Sequence, residues 1–133
     1  MTYDRLRSLV NALLIGDNAF TKKEDEQLAL LAYAYDKIAT EADALKLFTV
    51  NKDSAVLRQG PGNLFVRKPD LPKDGTDVLD IDDELGFPIA RYIASFVSKN
   101  NSATHVREAE TLIKAYNSKV DAYMSYLASA GKV

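Results

Sequence analysis

Leu47-Phe48-Thr49-Val50, Ala55-Val56-Leu57-Arg58 and Leu64-Phe65-Val66-Arg67 are three short runs rich in β-branched and apolar residues. Turn-forming residues separate them: Asn51-Lys52-Asp53-Ser54 after the first run, Gln59-Gly60-Pro61-Gly62-Asn63 after the second. Within 45–68 the period is near two, as in strands. On both sides of it, apolar residues recur at three- and four-residue spacing, as in helices. Proline and glycine follow the same division. All four prolines (Pro61, Pro69, Pro72, Pro88) and four of the six glycines lie between positions 60 and 88. Of the alanines, only Ala55 falls between 45 and 89. The fold class expected is mainly α: about four helices in a small bundle, with a β-hairpin or short meander inserted between helices 2 and 3.

Working outward, the spacing of Leu6, Leu9, Val10 and Leu13 predicts a helix over about 4–14, with Gly16-Asp17-Asn18 as its stop. Thr21-Lys22-Lys23-Glu24 has the form of a capping box. It opens a second helix with Leu28, Leu31, Ala32, Tyr35, Ile38 and Ala42 on one face. Residues 69–86 form an acidic linker, opened by Pro69-Asp70-Leu71-Pro72. Pro88 suits the first turn of a third helix whose apolar face is Ile89, Tyr92, Ile93, Phe96 and Val97. A long last helix carries Val106, Ala109, Ile113, Tyr116, Val120, Tyr123 and Leu127 at alternating spacings of three and four. That seam fits packing on its own domain or, as in a coiled coil, on another chain. The whole chain of 133 residues is expected to be one domain: helical over 1–44, extended over 45–68, linker over 69–86, helical over 87–130.

With no cysteine, disulfides, cysteine-rich zinc clusters and thiol nucleophiles are excluded. No run approaches the ~18 apolar residues of a membrane span. The opening Met1-Thr2-Tyr3-Asp4-Arg5 is unlike a signal peptide, which favours residence in a cytoplasm. The net charge of −2 hides a pattern: residues 45–68 carry five cations against Asp53, and residues 69–84 carry seven acids against Lys73.

Candidate chemistry is sparse. His105, the single histidine, stands at the expected first turn of the last helix, where protonation is disfavoured, and is expected to be exposed or cap-adjacent rather than catalytic. Asp80, Asp82, Asp83 and Glu84 have carboxylates suited to a hard cation, but the EF-hand pattern started at Asp80 meets Leu85 instead of glycine and Arg91 instead of glutamate. Gly60-Pro61-Gly62 lacks the lysine and hydroxyl residue of a phosphate loop. No catalytic residue, cofactor or metal ligand is therefore assigned. The basic hairpin could touch phosphates, with Phe48 or Phe65 stacking on bases, though both aromatics fit the buried face of a sheet equally well. Set against the acidic linker, the hairpin could instead attract a second copy head to tail. Arg58, Phe65, Arg67 and Lys68 would then meet Asp80, Asp82, Asp83 and Glu84 between subunits. Pairing within the chain, or two unrelated solvated surfaces, is the plainer reading of the same charges.

Leu57-Arg58, Asn63-Leu64-Phe65-Val66-Arg67-Lys68-Pro69, Asp80-Ile81-Asp82-Asp83-Glu84-Leu85 and Pro88-Ile89-Ala90-Arg91-Tyr92-Ile93-Ala94-Ser95-Phe96 come in this order before the long last helix. That order resembles the head–tail connector or neck proteins of tailed bacteriophages. The resemblance runs from about Leu57 to Leu127. It implies a non-enzymatic virion subunit that forms an oligomeric ring with copies of itself, contacts portal and tail proteins, and lets genomic DNA pass without specific recognition or any role for a membrane. It also implies that Ala55 to Arg67 reaches a neighbour. The rival readings are a small helical regulator that binds a protein or DNA and, more remotely, a hydrolase built on His105 and the acidic cluster.

Overall fold

The computed structural model describes residues 1–20, 23–50, 56–60 and 63–131. Four helices, α1 (Tyr3–Leu13), α2 (Glu24–Glu41), α3 (Gly86–Val97) and α4 (Ser102–Ser129), surround one hydrophobic core. Between α2 and α3 lie the strands β1 (Phe48–Thr49), β2 (Val56–Gln59) and β3 (Phe65–Arg67). The structure is mainly α with an inserted three-stranded antiparallel sheet, in agreement with the expected class.

The middle helix, α3, organises the bundle. It packs against α1, α2 and α4, and Pro88, Ile89, Ala90, Tyr92, Ile93, Ala94 and Val97 are all buried. Ala90 and Ala94 carry no more than a methyl group, so neighbouring backbones can approach closely on several sides. The sequence reading gave one of these core positions to Phe96. That ring is 48% exposed and meets Tyr33 edge-on with centroids 4.5 Å apart. A helix surrounded on three sides uses its small residues at the contacts, which a single apolar stripe does not reveal.

Thr2 caps α1, its hydroxyl accepting from the Arg5 amide at 3.2 Å. Gly16, at φ +80, turns the chain out of this helix, a conformation that costs glycine little. At α2 the helix begins with Lys23 as N-cap and no side-chain cap bond. Thr21 of the expected capping box lies outside the described residues.

The sheet is ordered β1-β3-β2 rather than as a meander. Phe48 pairs with Val66, and Gly60 donates to the Leu64 carbonyl at 2.8 Å to close the β2–β3 hairpin. A bulge between Val56 and Arg58 shifts the register of β2 against β3. Val66, in the central strand, is fully buried. A 3-10 turn over Leu45–Leu47 replaces the first part of the expected first strand. The placement of β2 follows from Arg58, whose guanidinium donates to the carbonyls of Ala39 and Ala42 and lies 3.5 Å from the Asp43 carboxylate. These carbonyls belong to the C-terminal turn of α2, which lacks intrahelical donors and favours a cation.

The acidic linker is far more tightly held than a solvated stretch. Tyr3 donates to the Asp77 carbonyl, Asp4 to Gly75 and Leu79 to Met1, so the linker satisfies amides at the start of α1. Leu79 and Ile81 are buried between its acids.

Replacing Arg58 with methionine keeps the apolar stem and removes the donors. The expected loss is about 1–3 kcal/mol of unfolding free energy, with Arg58→Lys recovering only part of it. Urea unfolding with an unchanged m-value reads this, and an unmoved midpoint would show that the α2 carbonyls do not depend on Arg58.

Candidate functional site

The charged residues proposed for inter-subunit contact are divided among separate places. Arg58 sits at the end of α2, as described. Phe65 is half-buried in β3, between Thr49 and Gln59 on the flanking strands. Arg67 and Asp80 form a two-pronged pair at 2.8 and 2.9 Å, and Asp80 also accepts from the Asp70 amide at 2.9 Å. The guanidinium holds the Asp80 carboxyl below its ordinary range. Lys68 lies 3.8 Å from Asp36 on the surface. Asp82 accepts from the Tyr116 hydroxyl and the Lys46 amide, Asp83 pairs with the Met1 amine, and Glu84 pairs with Lys119 at 2.8 Å. Hairpin and linker charges thus meet inside one chain at Arg67–Asp80, and the other linker acids fasten the N-terminus and α4.

Of the two placements expected for His105, exposed or cap-adjacent, the structure shows the second: it stands on the first turn of α4, its amide donating to the N-cap Asn101 carbonyl, and is 4% exposed. Arg91 of α3 lies 3.1 Å from Nδ1. Guanidinium nitrogens only donate, so Nδ1 accepts and the proton resides on Nε2, which is buried without a partner among the described residues. Burial, then the Arg91 charge, lowers the His105 pKa, and Asp17 opposes the shift.

Asp17 does more than stop a helix. It accepts from the Ser98 hydroxyl, from the Lys99 amide at 2.8 Å and from the Asn101 side chain at 3.3 Å, while Asn18 donates to the Val97 carbonyl at 2.9 Å. The segment after α1 therefore fixes the turn between α3 and α4. The Ser98 hydroxyl, followed by the Lys99 amide, holds the Asp17 carboxyl far below its ordinary value. Among the described residues, no group of three or more His, Cys, Asp or Glu is arranged to hold a metal ion. Among the described residues, no helix is long and apolar enough to cross a membrane either.

Two surface features stand out, of which the sequence marks the second in part, through the seam of α4. The first is a groove of about 220 Å³ lined by Leu9, Ala12 and Leu13 of α1, Phe87 and Ala90 of α3 and Leu112 of α4, with Arg91 at its edge. Phe87 and Leu112 are 45% and 38% exposed. The second is the end of α4. The expected seam is buried at Ala109, Ile113, Tyr116 and Val120, but Tyr123 is 48% exposed and Tyr126, beside the seam, 60%. Val120 is the last buried residue, and the helix continues to Ser129, roughly 13 Å further. From Ala122 to Gly131 there is no charged residue. Beyond Val120 the partly buried Met124 still packs against the core, while Tyr123 and Tyr126 stand clear of it.

Comparison of the chain with protein-family models, with curated proteins and with solved structures gives no match.

The two kinds of ionisable group predict an acid profile in two stages. His105 is held neutral by the fold, so below its ordinary value of 6.5 the unfolded chain binds the extra proton. Stability therefore falls as pH drops from about 7 toward 5. Asp17 and Asp80 are held ionised, so their contribution is present above their ordinary value of 3.8 and is lost as pH falls below it. His105→Asn should flatten the upper stage and leave the lower one. Urea midpoints measured across pH read both, and an unchanged upper slope would rule out His105 as its source.

Proposed function

We propose that the protein is a non-enzymatic assembly subunit of the head–tail connector kind, acting in a virion by binding copies of itself and neighbouring neck proteins. The observation that carries this reading is the end of α4. An exposed helix face ordinarily carries charge, whereas this one is charge-free and continues an apolar seam past the edge of its own domain. The order of segments from Leu57 to Leu127 gives the same direction.

The contact proposed is head to tail: Tyr123, Tyr126 and Leu127 of one copy lie in the α1/α3/α4 groove of the next, against Phe87 and Leu112. Two different surfaces in contact can repeat around a closed ring. Because Arg67 and Asp80 already satisfy each other within the chain, apolar burial rather than ion pairing would drive this association, and salt should weaken it little.

The expected result is an oligomer by light scattering at low and at molar salt, visible as rings in negative stain. Tyr126→Glu and Phe87→Glu should each give monomers. Each variant retains one intact surface, so a mixture of the two should form a dimer and stop there. Wild-type protein that stays monomeric at high concentration, or a mixture that stays monomeric, would overturn the proposal.

A further inference from the structure

A second groove lies on a different face, where α2 and α4 flank α3. Each helix contributes residues close to one-turn spacing: Tyr33, Lys37 and Glu41 from α2, Tyr92, Ser95 and Phe96 from α3, and Ser102, Val106 and Glu110 from α4. Its two ends differ in chemistry. At one, the Tyr33 and Phe96 rings meet edge-on, and Ser102 donates to the Ser95 carbonyl at 2.8 Å. At the other, the Tyr92 hydroxyl donates to the Glu41 carboxylate at 2.6 Å, and Glu110 is near enough to help raise the Tyr92 pKa. The exposed Glu110 carboxylate has no side-chain hydrogen bond or ion pair among the described residues. Lys37 holds its ammonium 5.9 Å above the Tyr33 ring, toward the aromatic end. Among the described residues, neither Glu41 nor Glu110 has a cation within ion-pair distance.

We propose that this groove receives an arginine side chain from a partner protein. The volume, about 240 Å³, is below the roughly 300–1,000 Å³ of pockets that enclose whole small molecules and suits a single long side chain. An arginine has the two parts the groove asks for. Its apolar stem covers Phe96 and Val106, and its planar guanidinium stacks beside aromatic rings and donates to carboxylates. The groove's formal charge, two carboxylates against Lys37, is complementary to that head group. The site is independent of the head-to-tail contact above, which uses the opposite side of α3 and no ion pair.

The test is a calorimetric titration with N-acetyl-arginine amide, using N-acetyl-citrulline amide as the neutral counterpart of nearly the same shape. Saturable binding of the arginine compound, with citrulline about tenfold weaker, is expected. Glu110→Gln should weaken binding about three- to fivefold without moving the melting temperature, and Phe96→Ala should weaken it as well. Asp25→Asn, which removes an acid from the start of α2 and not from the groove, should leave binding unchanged. No saturable binding, equal binding of citrulline, or an equal loss in Asp25→Asn and Glu110→Gln would overturn the proposal. None of these outcomes depends on whether the chain forms a ring.

Discussion

Burial of α3 on three sides is the constraint on which the rest of the structure depends. Ile89 and Ile93 fill the space between helices, and Ala90 and Ala94 set how closely the neighbours approach. Once that helix is enclosed, its remaining polar groups must find partners within reach. Tyr92 donates to Glu41 of α2, and Arg91 donates to His105 of α4. The two grooves also follow from this geometry, because three helices packed around a fourth leave furrows between them. One furrow is apolar, with Phe87 and Leu112 on its walls. The other combines aromatic rings with carboxylates.

The charges form a second layer of organisation within the chain. An exposed ion pair contributes little by itself. Arg67 and Asp80 differ in being partly buried, two-pronged and supported by the Asp70 amide. Together with Lys46, which reaches the Leu79 and Ile81 carbonyls, they hold the linker against the sheet. Asp83 at the Met1 amine and Glu84 at Lys119 extend the same fastening to both ends of the chain. Several of the opposite charges in the middle of the chain thus close as pairs within one molecule.

Much of the fold was legible because periodicity is a local property. Leu6 and Val10, Leu31, Tyr35 and Ile38, and Ile113, Tyr116 and Val120 all occupy the buried positions their spacing implied. The change of period after Leu45 correctly marked the inserted sheet. Local sequence is incomplete where a residue serves an element distant in the chain. Gly16-Asp17-Asn18 does end α1, but nothing local announces that Asp17 also binds Ser98, Lys99 and Asn101. His105 is cap-adjacent as expected, but the first turn of α4 gives no sign that α3 lies against it and buries the ring. Of the two arrangements expected for the insert, the β2–β3 hairpin is present, whereas the meander is not, since β3 rather than β2 occupies the centre.

By itself the sequence determined the helix–sheet–helix order, the absence of cysteine chemistry and the alternating charge of the middle segments, because composition and period do not depend on how the chain closes. Tertiary structure alone decided which charges neutralise each other, that Phe96 faces outward while Ala90 and Ala94 face inward, and where the seam of α4 runs out of partners. These outcomes depend on distances between residues far apart in the chain. Hydrophobic burial and charge pairing act through those distances, and local sequence carries no measure of them.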